Sequence, residues 1–386
     1  MAAGSIQKIV RDYGVSYRTR VEYPADPITG KRRQRSKVFK LKKDAERALA
    51  EWLVEIERGI AVDGAKMTVG EYLKYWLETY AKHNTRSTTY RGYEVCVRVH
   101  LIPTLGSIPL QKLTAAHLQA YYQQAIHQAP ANGRKGMLSP RTVRLTHSVI
   151  REALQHALEW NMVARNVADA TKPPRAVRPK VEVWNAEEAQ KFLTAAATDC
   201  HSPLWLAALT TGMRQGELCA LRWDDVDLKR GVLHIRHTLV TVKGERMLRE
   251  PKTRSGRRTI RLSPVCLAAL NDHRDRQRFI RTTADAIWHD RDAVFAALNG
   301  EWLDHGNLTR SYNALIGKAG VKRIPFHGLR HTHATLLLKE GVNVKVVSER
   351  LGHANIGITL DTYAHVLPSM QQQAADGIDA ALFGAA

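Results

Sequence analysis

Arginine, lysine, histidine and tyrosine stand in four separated patches of the C-terminal half, and together they are side chains that phosphoryl transfer needs. The first patch is Thr211-Gly212-Met213-Arg214-Gln215-Gly216-Glu217-Leu218, where Arg214 opens a helix and Glu217 follows one turn later, able to hold it. The second, Pro251-Lys252-Thr253-Arg254-Ser255-Gly256, precedes a strand. The third is His327-Gly328-Leu329-Arg330-His331-Thr332, with His327 near a helix start and Arg330 one turn on. The fourth joins Leu351-Gly352-His353 to Thr359-Leu360-Asp361-Thr362-Tyr363. Singly, each has a plainer explanation. An Arg–Glu pair three apart on a helix is commonly a surface ion pair, Lys252 a solvated cation, Tyr363 a packing residue, and His353 a partner for a helix C-terminus. Order and combination are what point to chemistry.

These patches need elements to position them. From Trp184 the chain opens with the cap-like Asn185-Ala186-Glu187-Glu188, runs through helices around 203–221, forms short alternating strands near 232–236 and 258–262, and returns to helix. Upstream, Thr68-Val69-Gly70-Glu71 has capping-box form and is followed by Tyr72, Trp76 and Tyr80 at helical spacing. Further helix starts fall near Thr88, at Thr114 and at Ser139 before Pro140, with Val143, Ile150, Leu154 and Leu158 as the core stripe of the last. The spacing predicts a compact helical domain over 67–170.

The first 62 residues form a third unit. Val15, Tyr17, Thr19, Val21 and Tyr23 alternate with polar residues, which predicts a half-buried strand, and Pro27 to Gly30 reads as a turn. The return segment carries Lys31, Arg32, Arg33, Arg35 and Lys37, and a helix with Ala45, Ala48, Leu49, Trp52, Leu53 and Ile56 follows. Residues 1–62 hold 14 Lys and Arg against 8 Asp and Glu. Arg18, Arg20 and the return strand are therefore candidate DNA contacts, the alternative being a charged edge strand that resists aggregation. Arg134, Lys135, Arg141 and Arg144 are candidates in the helical domain. Between 171 and 181 lies a basic, proline-rich linker whose Lys172, Arg175 and Arg178 could follow a phosphate backbone.

Whole-chain composition agrees with a polyanion partner. Across 386 residues, 58 Lys and Arg face 37 Asp and Glu, a formal charge of +21, while 44% of residues are apolar. That is a folded chain whose field attracts nucleic acid, anionic lipid or acidic protein alike. No run of about 18 apolar residues is present, and the N-terminus lacks the apolar stretch of a signal peptide, so no membrane partner is expected and the cytosol is the expected place. Cys96, Cys200, Cys219 and Cys266 are too scattered for a zinc site or disulfide framework and read as reduced packing residues.

With its order Arg214, Lys252, His327 with Arg330, His353 and Tyr363, the chain resembles the tyrosine recombinase family, and within it the phage-type integrases. The resemblance implies a multidomain, mainly α fold with small antiparallel sheets: an arm-type DNA-binding domain over 1–62, a core-binding domain over 67–170, the linker 171–181, and an α+β catalytic domain over 182–386. A segment after the tyrosine, 366–386, would dock on a neighbouring subunit, with Ile378, Leu382 and Phe383 as the docking patch. It further implies site-specific cutting and rejoining of double-stranded DNA attachment sites through a 3′-phosphotyrosyl intermediate and a four-way junction. A tetramer would assemble on DNA without ATP or another cofactor, working with a host DNA-bending protein and a directionality factor.

The side chains support that chemistry. A tyrosine hydroxyl, with an ordinary pKa of about 10, needs a base and a cationic surrounding before it attacks phosphorus. Arg214 and Arg330 offer forked donors to the non-bridging oxygens, Lys252 a proton for the 5′ oxygen, His327 assistance at Tyr363, and His353 a hydrogen bond to the phosphate, with Glu217 and His331 in support. Three rivals remain: a type IB topoisomerase, a non-catalytic DNA-binding regulator, and a metal nuclease built on His327, His331 and His333. The last lacks an accompanying carboxylate or thiolate at suitable spacing.

Overall fold

The computed structural model describes residues 4–11, 14–23, 33–57, 67–127, 136–177, 181–242, 244–251, 253–284, 287–363 and 368–384. Backbone contacts divide the chain into two compact units, Met1–Arg178 and Pro179–Ala386.

In the first unit, β1 (Gly4–Arg11), β2 (Gly14–Tyr23) and β3 (Arg33–Phe39) make an antiparallel sheet with β2 central. Thr19 and Val21 of β2 face the helix Lys42–Glu57 and are wholly buried with Ala45 and Trp52, and the Thr19 hydroxyl donates to the Ala45 carbonyl at 3.1 Å. The strand β1 is not anticipated by alternation, because its apolar residues Ile6, Ile9 and Val10 do not follow period 2. It lies at the sheet edge and is largely exposed.

The helical part of this unit begins at the expected box: Thr68 caps the helix Val69–Trp76, and Glu71 returns the bond to the Thr68 N–H. That helix continues through a π-helical stretch, Leu77–Ala81, and Ser87–Val95 likewise runs into the π-helical Cys96–Leu101. The helices Ala115–His127 and Pro140–Glu159 complete it, the latter capped by Ser139. Tyr72, Trp76, Leu101, Leu118, Tyr122, Val143, Ile150 and Leu154 fill its core, whereas Tyr80 and Leu158 are only partly buried. Residues 171–177 carry neither helix nor strand.

In the second unit the Asn185–Glu188 box caps the helix Ala186–Ala196. The helix Ser202–Thr211 ends at Gly212, and the short helix Gln215–Cys219 starts just beyond. Strands β4 (Val226–Asp227), β5 (Val232–Ile235) and β8 (Arg258–Arg261) form one antiparallel sheet, and β6 (Thr238–Val242) pairs with β7 (Glu245–Arg249) as a separate hairpin. The hairpin escapes sequence reading because Glu245-Arg246-Met247-Leu248-Arg249 has no alternation. Helices Pro264–Ala284, His305–Ala319, His327–Lys339, Val344–Leu351, Ile356–Tyr363 and Pro368–Phe383 follow.

Trp184, Phe192, Trp205, Tyr312 and Phe326 form the aromatic centre of the main core, and Ala334, Leu338, Val347, Leu351 and Tyr363 make a smaller cluster beside it. Of the cysteines, Cys96, Cys219 and Cys266 are buried as expected. Cys200 instead is exposed, because it sits in the turn before helix Ser202–Thr211 rather than on a packed face.

Gly212 is a position beside the site that tolerates no side chain. Its φ of +65° is left-handed, and a Cβ there would lie 2.6 Å from His333 Cδ2 and 2.9 Å from Leu351 Cδ2. Gly212→Ala is expected to lower stability by about 1–3 kcal/mol, measured as a shift of the urea midpoint; an unchanged midpoint would contradict this packing.

Candidate active site

Arg214 is itself the N-cap of the helix Gln215–Cys219. Its N–H donates to Glu217 Oε2 at 2.9 Å and its guanidinium to Oε1 at 2.7 Å, so the carboxylate clasps both backbone and side chain. Arg258, on β8, grips the same carboxylate from the other side, through Nη2 to Oε2 at 2.8 Å and Nη1 to Oε1 at 3.2 Å. Glu217 is 3% exposed. Burial alone would raise its pKa, but the hydrogen bonds and charge of Arg258, with the charge of Arg214, hold it down to about 2. It is an anion anchoring two cations.

Arg330 lies one turn into the helix His327–Lys339 and is 2% exposed. Its Nη1 donates to the Gly212 carbonyl at 2.8 Å and its Nη2 to the Leu351 carbonyl at 2.6 Å. Burial and the neighbouring charge of Arg214 push its pKa down to about 9, still high enough to keep it charged at neutral pH. Arg214, Arg258 and Arg330 therefore carry two positive charges more than Glu217 neutralises, which suits an anion with non-bridging oxygens.

Tyr363 closes the helix Ile356–Tyr363 and is 1% exposed. Its hydroxyl is 2.8 Å from His331 Nδ1. Burial pushes the phenol up to about 12 against the lowering charge of Arg330, and burial with the charge of Arg330 pushes the His331 imidazole down, so both are neutral near pH 7. This changes the expectation for His327. Its ring meets His331 edge-on, with centroids 4.8 Å apart, and it is His331 that reaches the tyrosine, because the next turn of the helix points at the cluster holding Tyr363. His327 is open to solvent on one side, yet the protein packed on the other, with the charges of His331 and Arg330, brings it down to about 4. His353 follows Gly352, bonds Thr359 Oγ1 through Nδ1 at 2.8 Å, and is lowered to about 4 by burial and by Arg330. Lys252 lies outside the described residues.

The candidate DNA contacts separate. Arg18 and Arg20 are exposed on the open face of the first sheet. Arg35 and Lys37 pair with Val21 and Thr19 and so occupy the opposite, helix-covered face, where the Arg35 guanidinium sits 4.5 Å over the Trp52 ring and Lys37 lies 5.4 Å over Phe39. The four candidates thus lie on two faces of the sheet, since period 2 sends paired residues to the same side. Arg141, Arg144, Lys172 and Arg175 are exposed. Lys31, Arg32, Arg134, Lys135, Arg178 and the Arg33 side chain lie outside the described residues.

Two residues of the site went unread in the sequence. Arg258 follows Arg257 in a run of surface-like basic residues, and only its inward register on β8 distinguishes it. Arg350 donates to His333 Nε2 at 3.1 Å and to the Thr210 carbonyl at 2.9 Å, while His333 Nδ1 donates to the Leu209 carbonyl at 2.8 Å. Among the described residues no group of three or more His, Cys, Asp or Glu is placed to hold a metal ion.

A tyrosine held by a histidine beside clustered guanidinium groups is an arrangement chemically suited to phosphoryl transfer, and comparison with known proteins names the family. Residues 182–370 match the phage integrase family, 68–126 the N-terminal SAM-like domain of phage integrases, and 5–56 an arm DNA-binding domain. The chain belongs to the phage integrase family of tyrosine recombinases, site-specific enzymes whose partner is DNA. It is 29% identical over 359 residues to a XerC-like tyrosine recombinase of Caldanaerobacter subterraneus subsp. tengcongensis, covering 88% of this chain and 90% of that one. The fold is shared with the Tn1549 transposon integrase in complex with a circular intermediate DNA, at a TM-score of 0.65 and 22% identity over 80% of this chain and 99% of the other. It is shared too with a lambda integrase tetramer bound to a Holliday junction, at 0.55 and 19% over 90% and 95%. Among the described residues no helix is long and apolar enough to cross a membrane.

The histidines make stability depend on pH. His333 is 5% exposed and held at about 3 by burial and Arg350, whereas an unfolded histidine titrates at about 6.5. Below that value the unfolded chain takes a proton the folded one refuses, so stability is expected to fall by about 1.4 kcal/mol per pH unit from this group as pH drops from about 6.5 toward 3. Urea midpoints followed between pH 7 and 5 check this, with a shallower slope in His333→Gln.

Proposed function

We propose that the chain cuts and rejoins double-stranded DNA at attachment sites through a 3′-phosphotyrosyl link to Tyr363, as the integrase of a mobile element. The observation that carries this reading is the 2.8 Å hydrogen bond between the Tyr363 hydroxyl and His331, set within reach of a surplus of guanidinium charge.

Attack by Tyr363 Oη on the scissile phosphorus forms the P–O bond and breaks the bond to the 5′ oxygen. The phenolic proton passes to neutral His331 Nδ1, and Lys252 gives a proton to the departing 5′ oxygen. Arg214, half-exposed beside Glu217, and Arg330 stabilise charge on the non-bridging oxygens. His353, oriented by Thr359, and the solvent-facing His327 complete the phosphate's donor set. Because Tyr363 is buried, DNA must draw the helix Ile356–Tyr363 toward the phosphate before attack. The phosphotyrosine conserves the phosphodiester energy, so the freed 5′ hydroxyl of a partner strand reverses the step without ATP.

Two such exchanges would pass through a four-way junction, with the regions 1–62, 67–170 and 182–386 on DNA and the linker 171–181 along the backbone. A tetramer is supported by the lambda relative on a Holliday junction and by Ile378, Leu382 and Phe383, which are 55%, 67% and 81% exposed on the C-terminal helix. A host DNA-bending protein and a directionality factor would set the direction, in the bacterial cytoplasm at the nucleoid.

Tyr363→Phe is expected to bind target DNA within about twofold of the parent, since one buried hydroxyl contributes little to phosphate contacts, but to form no SDS-stable adduct. Equal loss of binding and adduct would contradict the nucleophile assignment. Adducts that relax supercoils yet never join two duplexes would favour the topoisomerase reading.

His331→Gln is expected to slow adduct formation by about 10²-fold or more. In the parent, the rate should fall as pH drops through the depressed His331 pKa, because a protonated ring cannot accept the phenolic proton. That acid limb should vanish in the variant; an unchanged limb would move the role to another group.

A further inference from the structure

Arg258 makes more contacts within the site than any phosphate-binding role requires. Its side chain is 6% exposed, and each of its three nitrogens donates to protein. Nη1 and Nη2 hold the two oxygens of Glu217, Nη1 also donates to the Gly256 carbonyl at 3.1 Å, and Nε donates to the Arg350 carbonyl at 2.7 Å.

Those acceptors belong to three separate segments that carry candidate catalytic groups. Glu217 clasps Arg214. Gly256 ends the 3-10 turn Arg254–Gly256, just after Lys252 in the chain. Arg350 precedes Leu351, whose carbonyl receives Arg330, and Gly352, which leads to His353. At Gly352 the close approach is visible: its φ is +67°, and a Cβ would lie 2.9 Å from Arg258 Cδ and 2.7 Å from the Ser255 carbonyl.

The Glu217 oxygens are each shared between the two arginines. Oε1 receives the guanidinium of Arg214 and Nη1 of Arg258, and Oε2 receives the Arg214 backbone N–H and Nη2 of Arg258. A planar fork on both oxygens fixes the plane of the carboxylate, and that plane decides where the free edge of Arg214 points. A lysine ammonium at 258 keeps the charge but cannot hold both oxygens and the Arg350 carbonyl in one fixed geometry.

We propose that Arg258 is the positioning residue of this site: anchored on the Gly256 and Arg350 carbonyls, it aims Arg214 through the Glu217 carboxylate. The inference rests on the phosphoryl-transfer reading of Arg214 and Tyr363. Arg258 touches no DNA, and its effect on rate passes through Arg214.

The test is single-turnover adduct formation by the full chain. The substrate is the duplex recovered covalently attached to the protein from sheared genomic DNA of its source, nicked so that the leaving strand diffuses away. Arg258→Lys and Arg258→Gln are each made alone and with Arg214→Ala, and each is followed also by DNA affinity and thermal melting. Arg258→Lys is expected to melt as a folded protein, to bind DNA within about twofold, and to form adduct about 10- to 100-fold more slowly, as misplacement of a catalytic group predicts. Arg258→Gln, which leaves Glu217 half-paired, is expected to be slower still.

In the Arg214→Ala background the Lys substitution is expected to change the rate by less than about threefold, because the group it aims is already gone. A purely structural arginine would instead multiply its loss onto that of Arg214→Ala, and this result overturns the proposal. So does a folded Arg258→Lys protein at the parental rate, whatever Arg258→Gln does. If Arg214→Ala alone cleaves at the parental rate, it is the reading of the site that fails, and the two failures are thereby distinguished.

Discussion

A single buried carboxylate organises this site. Glu217 sits where water cannot solvate it, and an isolated anion there would be expensive. It is retained because two guanidinium groups and a backbone N–H share its oxygens. The exchange runs both ways. The carboxylate lets Arg214 and Arg258 approach each other, and within reach of Arg330 the group still carries more positive than negative charge. That excess is what a scissile phosphate would meet, in a setting of reduced dielectric where charge acts strongly.

The backbone is bent to serve the same cluster. Gly212 and Gly352 both take left-handed φ at helix ends, with +65° and +67°. The first offers its own carbonyl to Arg330, and the second follows the Leu351 carbonyl that does so. A buried arginine must satisfy its donors, and here terminal helix carbonyls, which lack partners within their own helices, do so. Helix termination, guanidinium burial and site assembly are thus one arrangement. Tyr363 belongs to it by packing: it joins Leu351 and Leu338 in the smaller core, which brings its hydroxyl to His331 and away from solvent.

Much of this arrangement is legible in the sequence. The capping boxes at Thr68 and Asn185 follow from local chemistry alone and occur as expected. Arg214 with Glu217 could be read because both partners lie within one turn. What could not be read depends on register and long-range contact. Arg258 looks like its neighbour Arg257 until β8 pairs with β5 and turns one inward. His331 and His327 are chemically identical, and only the helix azimuth gives the tyrosine to the former. Arg35 and Lys37 fell in a basic run with no sign that pairing with Val21 and Thr19 would carry them to the helix side. The edge strand β1 and the hairpin strand β7 lack alternation because little of either is buried, so the usual signal had no cause to evolve there.

Peptide mapping of the protein–DNA adduct tests the account most directly. Protein incubated with its DNA and a chelator is denatured, digested with protease and nuclease, and analysed by mass spectrometry. The account predicts a nucleotide mass on the peptide containing Tyr363, attached through the 3′ phosphate, with a free 5′ hydroxyl on the released strand and full yield in the presence of chelator. A nucleotide on another residue, or cleavage without an adduct that the chelator abolishes, would contradict it.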